Sequence, residues 1–357
     1  MRVGIVAPPF ISVPPKVYGG TELFIAELAT GLQKLGIDVV VYTNGESSLE
    51  VETRWLYAHE QWPIQGEVYD NLKDLNHTSW AIRDAAKSCD IIHINNVTGV
   101  SCSRFVNTEF VYTVHHPHLQ ELSGIYGYFP SVHFVTISDF QRRRENMPQL
   151  ETVHHGIDLS RYKLRERKQP YLAFLGRIAP FKGTHLAIQV AKEVGVPLKI
   201  AGEVQPIFRD YFEGQVKPHL DGELIEYIGA ADQRTKDELL GNAMAMLFPI
   251  QWDEPFGLVM IEAMACGTPV LALPGGAVEE VVENGLGGFV CKSVTEMVNI
   301  VKNLEGRIAP NVVREYVKRR FSVERMVSRY ANLYDRILAG GKTAEVTTNI
   351  EEQHAVA

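Results

Sequence analysis

The chain is poor in the features that mark several functional classes. Its 357 residues include only four cysteines, Cys89, Cys102, Cys266 and Cys291, with no Cys-x-x-Cys pair and no metal-ligand spacing. That pattern excludes a disulfide-stapled scaffold and predicts reduced thiols in a cytoplasmic protein. No apolar run approaches the roughly 20 residues that a membrane-crossing helix needs. The opening stretch "MRVGIVAPPF" lacks the hydrophobic region and small-residue cleavage site of a secretory signal. There is no basic excess either. Net charge is −8; the first 160 residues carry 11 basic against 18 acidic side chains and the remainder 24 against 25. Neither half suits a nucleic acid partner or strong docking on anionic lipid.

What is present is ordinary globular material, 45% hydrophobic and 22% charged, enough for two cores. Short apolar runs rich in Val, Ile, Tyr and Phe alternate with amphipathic stretches. In the first half "RVGIVAP", "DVVVYTN", "DIIHINN", "FVYTVHH", "HFVTIS" and "ETVHHG" read as strands. "TELFIAELATGLQKLG" shows helical spacing, with Gly36 as its stop. The rhythm restarts with "YLAFLGR", "PLKIAGE", "LIEYIG", "AMLFPI", "PVLALP" and "GFV". This predicts an α/β protein of two Rossmann-like, doubly wound domains, residues 1–160 and 161–322. "LSRYKLRERKQP" (159–170), polar and without a core pattern, reads as the linker. A final helix is expected over 323–339, and the polar, patternless 340–357 as a disordered tail. Two such domains set the carboxyl ends of two sheets across a cleft, where open α/β sheets bind ligands.

The loop after the first strand, "APPFISVPPKVYGGTELFIAEL", ends in Gly19-Gly20 just before a helix, with Thr21 in position to cap it. Glycine lets backbone N–H groups approach a ligand, and a helix N-terminus favours a phosphate. "FLGRIAPFKG" follows the first strand of the second domain and offers Arg177 and Lys182 as a guanidinium fork and a point charge. Solvated surface charge is the ordinary reading of an Arg or Lys; the strand-end position favours function for these two.

"AMLFPIQWDEPFGLVMIEAMACGTPV" is a strand, a loop and a helix that begins near Phe256 or Gly257 and ends at Gly267. Glu254 precedes the helix. Glu262 lies inside it among Met260, Ile261, Ala263 and Met264, where a buried carboxylate needs partners. Gly257 to Glu262 covers about 7.5 Å along the axis at ~1.5 Å per residue. A nucleoside diphosphate sugar fits that span. Glu254 would accept from sugar hydroxyls, the N–H groups of Phe256, Gly257, Leu258 and Val259 would meet the diphosphate, and Glu262 would accept from the ribose.

Glu254-x7-Glu262 within "EPFGLVMIEAMACGTPV", together with "GRIAPFKG" and "YGGTE", resembles the family 4 glycosyltransferases of the GT-B fold. The resemblance spans nearly the whole chain. It implies retaining hexosyl transfer from a UDP- or GDP-linked donor to an unidentified acceptor, with no cofactor and no metal ion. It places Gly19 and Gly20 at the diphosphate, Arg177 and Lys182 at the phosphates, Glu254 at the donor sugar and Glu262 at the ribose. It also implies that the last helix crosses back onto the first domain. The family carries a histidine after a first-domain strand; in "VYTVHHPHLQEL" His115 aligns best, with His116 and His118 as competitors. No carboxylate or cysteine nearby completes a His-His-x-His metal set.

Other segments carry less. Ser138 in "VTISDFQRRRENMP" is placed to cap a helix, and Arg142–Arg144 read as a solvated face. In "ETVHHGIDLSRY" His155 stands where the family usually has Asn. "KIAGE" and "IEYIG" end strands near the expected nucleoside. Gly275-Gly276 reads as a loop near the sugar or phosphates, and Glu279 and Glu280 as surface residues, with a site-facing Glu279 as the alternative. The acceptor loop is expected in 117–130, where Tyr126, Tyr128 and Phe129 would stack or pack; the acidic first domain favours a soluble acceptor. A nucleotide-sugar epimerase and a non-catalytic nucleotide-sugar sensor stay open as alternatives, and oligomeric state is not read.

Overall fold

The structure is a computed structural model that describes residues 1–17, 19–64 and 68–354, with side chains described as far as Gly340. Seven strands form the first sheet: β1 (Arg2–Val6), β2 (Asp38–Thr43), β3 (Glu52–Trp55), β4 (Ile91–Ile94), β5 (Glu109–Val114), β6 (His133–Thr136) and β7 (Leu150–Thr152). Six form the second: β8 (Gln169–Leu175), β9 (Leu198–Ala201), β10 (Ile225–Tyr227), β11 (Ala243–Phe248), β12 (Val270–Ala272) and β13 (Gly288–Val290). The orders are β3-β2-β1-β4-β5-β6-β7 and β10-β9-β8-β11-β12-β13, and the pairings are parallel. Each order reverses once, between β1 and β4 and between β8 and β11. Those two switch points are where a doubly wound sheet opens a crevice.

Twelve of these strands coincide with the apolar runs in the sequence; β3 does not. It is an edge strand whose Glu52 bonds Arg2 at 2.6 Å and whose Arg54 pairs with Asp84, so polar side chains hold it rather than a buried face. The segment 159–170 is likewise not a free linker. Tyr162 is fully buried, Arg165 pairs with Asp237 at 2.8 Å, and Lys168 Nζ donates to Gly241 O, Cys266 O and Thr268 Oγ1. It is a strap laid on the second domain, and its last two residues already belong to β8.

The C-terminal helix is Val323–His354. The expected disorder of 340–357 falls on side chains beyond Gly340 and on residues 355–357, outside the described residues. Met326, Val327, Tyr330, Leu333, Tyr334 and Ile337 of this helix join Val3, Ile5, Phe24 and Leu28 in the first domain's core. Two hydroxyls tie it to the sheet from within. Tyr334 Oη lies 2.7 Å from His93 Nδ1, and Tyr330 Oη 2.8 Å from Thr113 Oγ1, which in turn meets His93 Nε2 at 2.8 Å. Burial pushes the His93 imidazole down to about 3, so it serves as a neutral hydrogen-bonding group. Among the described residues no helix is long and apolar enough to cross a membrane.

Candidate functional site

The two sheets present their carboxyl ends to each other. From the first domain comes the loop after β1, which turns at Gly19 into the helix Gly20–Lys34. From the second come two adjacent loops. The one after β8 makes a short 3-10 turn, Pro180–Lys182, and the one after β11 leads into the helix Leu258–Ala265. Gly183 lets the two second-domain loops touch: at φ 75°, a Cβ there would sit 1.9 Å from Pro249 O. Gly257 starts the second helix from φ 86°, where a Cβ would meet Met260 Cε at 2.6 Å. Both positions require glycine for their backbone, and Gly183 for space as well.

Between the loops lies a cleft of about 500 Å³ lined by Gly20, His115, Arg177, Lys182, Glu254 and Phe256 to Val259. Behind it a chamber of about 80 Å³ is bounded by Gly19, Gly20, Lys236, Leu258, Val259 and Glu262. Gly20, Leu258 and Val259 border both, so the glycines, cations and carboxylates of the expected donor site line two adjoining spaces. Gly20 and Leu258 face each other across the domains; a Cβ on Gly20 would stand 3.4 Å from Leu258 Cδ1.

The buried carboxylate of Glu262 has partners drawn from elsewhere in the chain. Tyr162 Oη donates to Glu262 Oε1 at 2.8 Å and Lys236 Nζ to the same oxygen at 3.2 Å. Burial, then the neighbouring carboxylate, raises Tyr162 well above its ordinary value and keeps it a donor. Glu254 is similarly held. Its Oε2 accepts from Lys182 Nζ at 2.5 Å and from Trp252 Nε1 at 2.8 Å, while the Lys182 ammonium lies 4.7 Å over the Trp252 ring. Ala277 N donates to Glu254 O at 2.8 Å, so the Gly275-Gly276 loop backs this corner rather than lining it. Tyr162, Lys236 and Trp252 were not picked out from the sequence. Trp252 had a signal, lying two residues from Glu254; the other two reach the site only through the fold.

The three histidines after β5 separate by role. His116 spends both ring nitrogens inside the first domain, on Pro117 O at 2.7 Å and Tyr126 Oη at 2.6 Å. His118 Nδ1 meets Glu145 Oε1 at 2.9 Å. His115 alone of the three borders the cleft, with Nε2 on Asn95 Oδ1 at 2.9 Å. An amide oxygen accepts only, so Nε2 carries the proton and Nδ1 is left as an acceptor. Burial, then His155, His93 and His116, hold it well below its ordinary value, so the ring is neutral at physiological pH. In 117–130, Tyr126 and Phe129 are buried and pack, whereas Tyr128 is exposed. A neighbouring pocket of about 280 Å³ sets Glu203 and Ala230 of the second domain against Lys16, Val17 and Trp62 of the first.

One surface reading is corrected by contacts between the domains. Glu280 accepts from the backbone N–H of Asp139 at 2.8 Å and of Phe140 at 3.0 Å, and from the ring of His154. These bonds hold its carboxyl below the usual range despite burial. Arg142, Arg143 and Arg144 are exposed, as read, and Arg144 also pairs with the equally exposed Asp253 of the other domain at 2.9 Å. Ser138 does cap its short helix, accepting from Gln141 N at 3.1 Å. The Glu280 clasp joins the domains beside the cleft. Glu280→Ala is expected to loosen them: small-angle scattering should show a larger radius of gyration and kcat/KM should fall about fivefold to tenfold, as for loss of charge-assisted hydrogen bonds. An unchanged scattering profile with unchanged kinetics would show the clasp to be inert.

Two parallel α/β domains with a shared cleft at their strand ends are the layout of the GT-B class, and solved structures agree. Sucrose-phosphate synthase from Thermosynechococcus elongatus superposes with a TM-score of 0.80 at 18% identity, covering 95% of this chain and 99% of that one. Anabaena HepE, solved in complex with UDP-glucose, gives 0.74 at 17% identity over 94% and 100%. A model of glycosyltransferase family 4 matches residues 18–181 and one of glycosyl transferases group 1 matches 157–320. The chain belongs to the family 4 glycosyltransferases and has the GT-B fold. It is 31% identical over 154 residues to glycogen synthase of Mycobacterium tuberculosis, a match that covers 41% of this chain. The chain spans 36% of the length of that curated relative.

Proposed function

We infer that the protein transfers a hexose, with retention of anomeric configuration, from a UDP- or GDP-linked sugar to an acceptor hydroxyl without a metal ion. One observation carries the reading. A single helix mouth, Gly257–Val259, lies between two buried carboxylates, each already held by donors, and faces the Gly19-Gly20 turn. The spacing suits sugar, diphosphate and ribose in that order. The bond from the anomeric carbon to the phosphate oxygen breaks, the acceptor oxygen bonds the same face of that carbon, and the departing phosphate takes the acceptor's proton. Negative charge grows on that phosphate, where Arg177, Lys182 and the helix N–H groups stabilise it. UDP-glucose in the similarly folded HepE supports the UDP-linked form of the donor.

An epimerase needs a carboxylate able to abstract a carbohydrate proton. Glu254 and Glu262 are both committed to cationic or hydroxyl donors, which favours transfer over that alternative. Thermal-shift measurements with UDP-glucose, UDP-N-acetylglucosamine and GDP-mannose in EDTA test the proposal. One donor is expected to raise Tm by several degrees with no metal present. Absence of a shift with every nucleotide sugar, or a shift that appears only with added divalent metal, contradicts it.

A further inference from the structure

His155 is absent from the machinery described so far, yet it stands at the wall of the cleft. It follows β7 and is 96% buried, and among the described residues its Nδ1 has no hydrogen-bond partner. An unmet buried polar nitrogen destabilises a fold, so such a group tends to have a use. The ring is clamped in place. It stacks on His115 with centroids 5.6 Å apart and planes 10° from parallel. Phe24 packs on it at 4.9 Å, and the edge of Phe256, from the mouth of the second-domain helix, meets it at 5.1 Å and 84°. Two elements of the first domain and one of the second thus fix one imidazole beside the donor cleft.

We propose that His155 hydrogen-bonds the transferred sugar, forming with His115 a pair of stacked imidazole edges that read the hydroxyl pattern of one pyranose ring. The inference rests on the nucleotide-sugar reading of the cleft. The phosphates already have Arg177, Lys182 and the helix mouth, and a ring buried this deeply is held neutral, so it adds no charge for an anion. A neutral imidazole offers one donor and one acceptor, the complement of a hydroxyl, which is both. His115 presents Nδ1 as an acceptor because Nε2 is spent on Asn95. Two parallel rings on adjacent planes can address neighbouring hydroxyls, and a site built to bond hydroxyls rejects a sugar that places them elsewhere. The family's usual Asn has the same donor and acceptor on a shorter stem but no ring to stack. His155 therefore distinguishes the sugar specificity of this chain.

Two variants separate the polar from the packing role. His155→Phe keeps an aromatic ring and removes both nitrogens; His155→Asn keeps a donor and an acceptor and removes the ring. Affinities of wild type and both variants are measured by calorimetry for UDP and UDP-glucose, and for GDP and GDP-mannose. For the nucleotide-sugar pair that wild type binds, His155→Phe is expected to weaken the nucleotide sugar about tenfold while changing the free nucleotide less than about twofold. His155→Asn is expected to lose less, and to shift the preference among UDP-glucose, UDP-galactose and UDP-N-acetylglucosamine if the donor is UDP-linked. The reverse order, with Phe like wild type and Asn impaired, assigns His155 to packing and overturns the proposal. So does equal weakening of nucleotide and nucleotide sugar. If one variant does not fold, the other still reads the ratio of the two affinities. Wild type binding none of the four ligands overturns the donor reading itself, a failure distinct from an unchanged ratio in the variants.

Discussion

Replacing Lys182 by alanine is expected to lower sugar transfer about a hundredfold, with the fold intact and the free nucleotide bound only a few times more weakly. Removal of one preorganised charge or donor aimed at a developing anion typically loses on the order of 10²–10³ in rate. Lys182 sits in a short turn at the carboxyl end of β8, half-buried, so its ammonium is partly shielded from water. It contacts Glu254 at 2.5 Å, which puts the cation proposed to meet the phosphate and the carboxylate proposed to meet the sugar in one polar cluster with Trp252. Two groups in contact do not act independently. Glu254→Ala alone should therefore cut transfer more than tenfold, and the double variant should lose less than the product of the single losses. Rates are to be measured with saturating acceptor, with circular dichroism as the control for folding. Wild-type rates in both single variants would remove Lys182 and Glu254 from the mechanism.

Glu262→Ala is expected to weaken binding of the nucleotide itself, UDP or GDP, by about ten- to a hundredfold. The carboxylate is buried and is the acceptor for Tyr162 Oη and Lys236 Nζ. Its removal takes away the proposed ribose anchor and leaves a buried hydroxyl and an ammonium without their acceptor, a destabilisation of about 1–3 kcal/mol. Both effects act on the nucleotide moiety, so the loss should appear equally for the free nucleotide and the nucleotide sugar. This distinguishes Glu262 from His155, whose loss should appear with the sugar alone. Glu262→Gln, which retains one acceptor oxygen, should recover part of the affinity. Calorimetric titration with the nucleotide decides the matter; unchanged affinity in Glu262→Ala would place the ribose elsewhere.

Much of the scaffold was legible because hydrophobic periodicity is a local property. Strands such as β1 and β11, buried on both faces in parallel sheets, read as unbroken apolar runs, and the helix Gly20–Lys34 shows its three- and four-residue spacing directly. β3 escaped because an edge strand held by Arg2 and Asp84 has no buried face to write into its sequence. Tyr162 was hidden among charges in a segment that looked like a linker, and its burial is set by helices of the second domain.

The choice among His115, His116 and His118 shows the boundary most clearly. Alternation along a strand separates adjacent side chains, but the partner decides which face is the cleft, and those partners are Asn95, Tyr126 and Glu145. Glu280 and Arg144 make the same point across the domains: each is an ordinary charged residue until the other domain supplies Asp139 N–H or Asp253.

By itself the sequence determined two doubly wound domains, the glycines at the two helix mouths, and the acids and cations that we propose hold an activated sugar. Such features follow from backbone geometry and short-range periodicity, which a linear chain expresses within a few residues. Only the tertiary structure decided what neutralises each buried charge, which histidines stand at the cleft, and how the domains clasp. Those depend on electrostatic and packing partners outside the local sequence window, 72 residues apart for Lys182 and Glu254 and 141 for Asp139 and Glu280, which only the folded chain brings to hydrogen-bond distance.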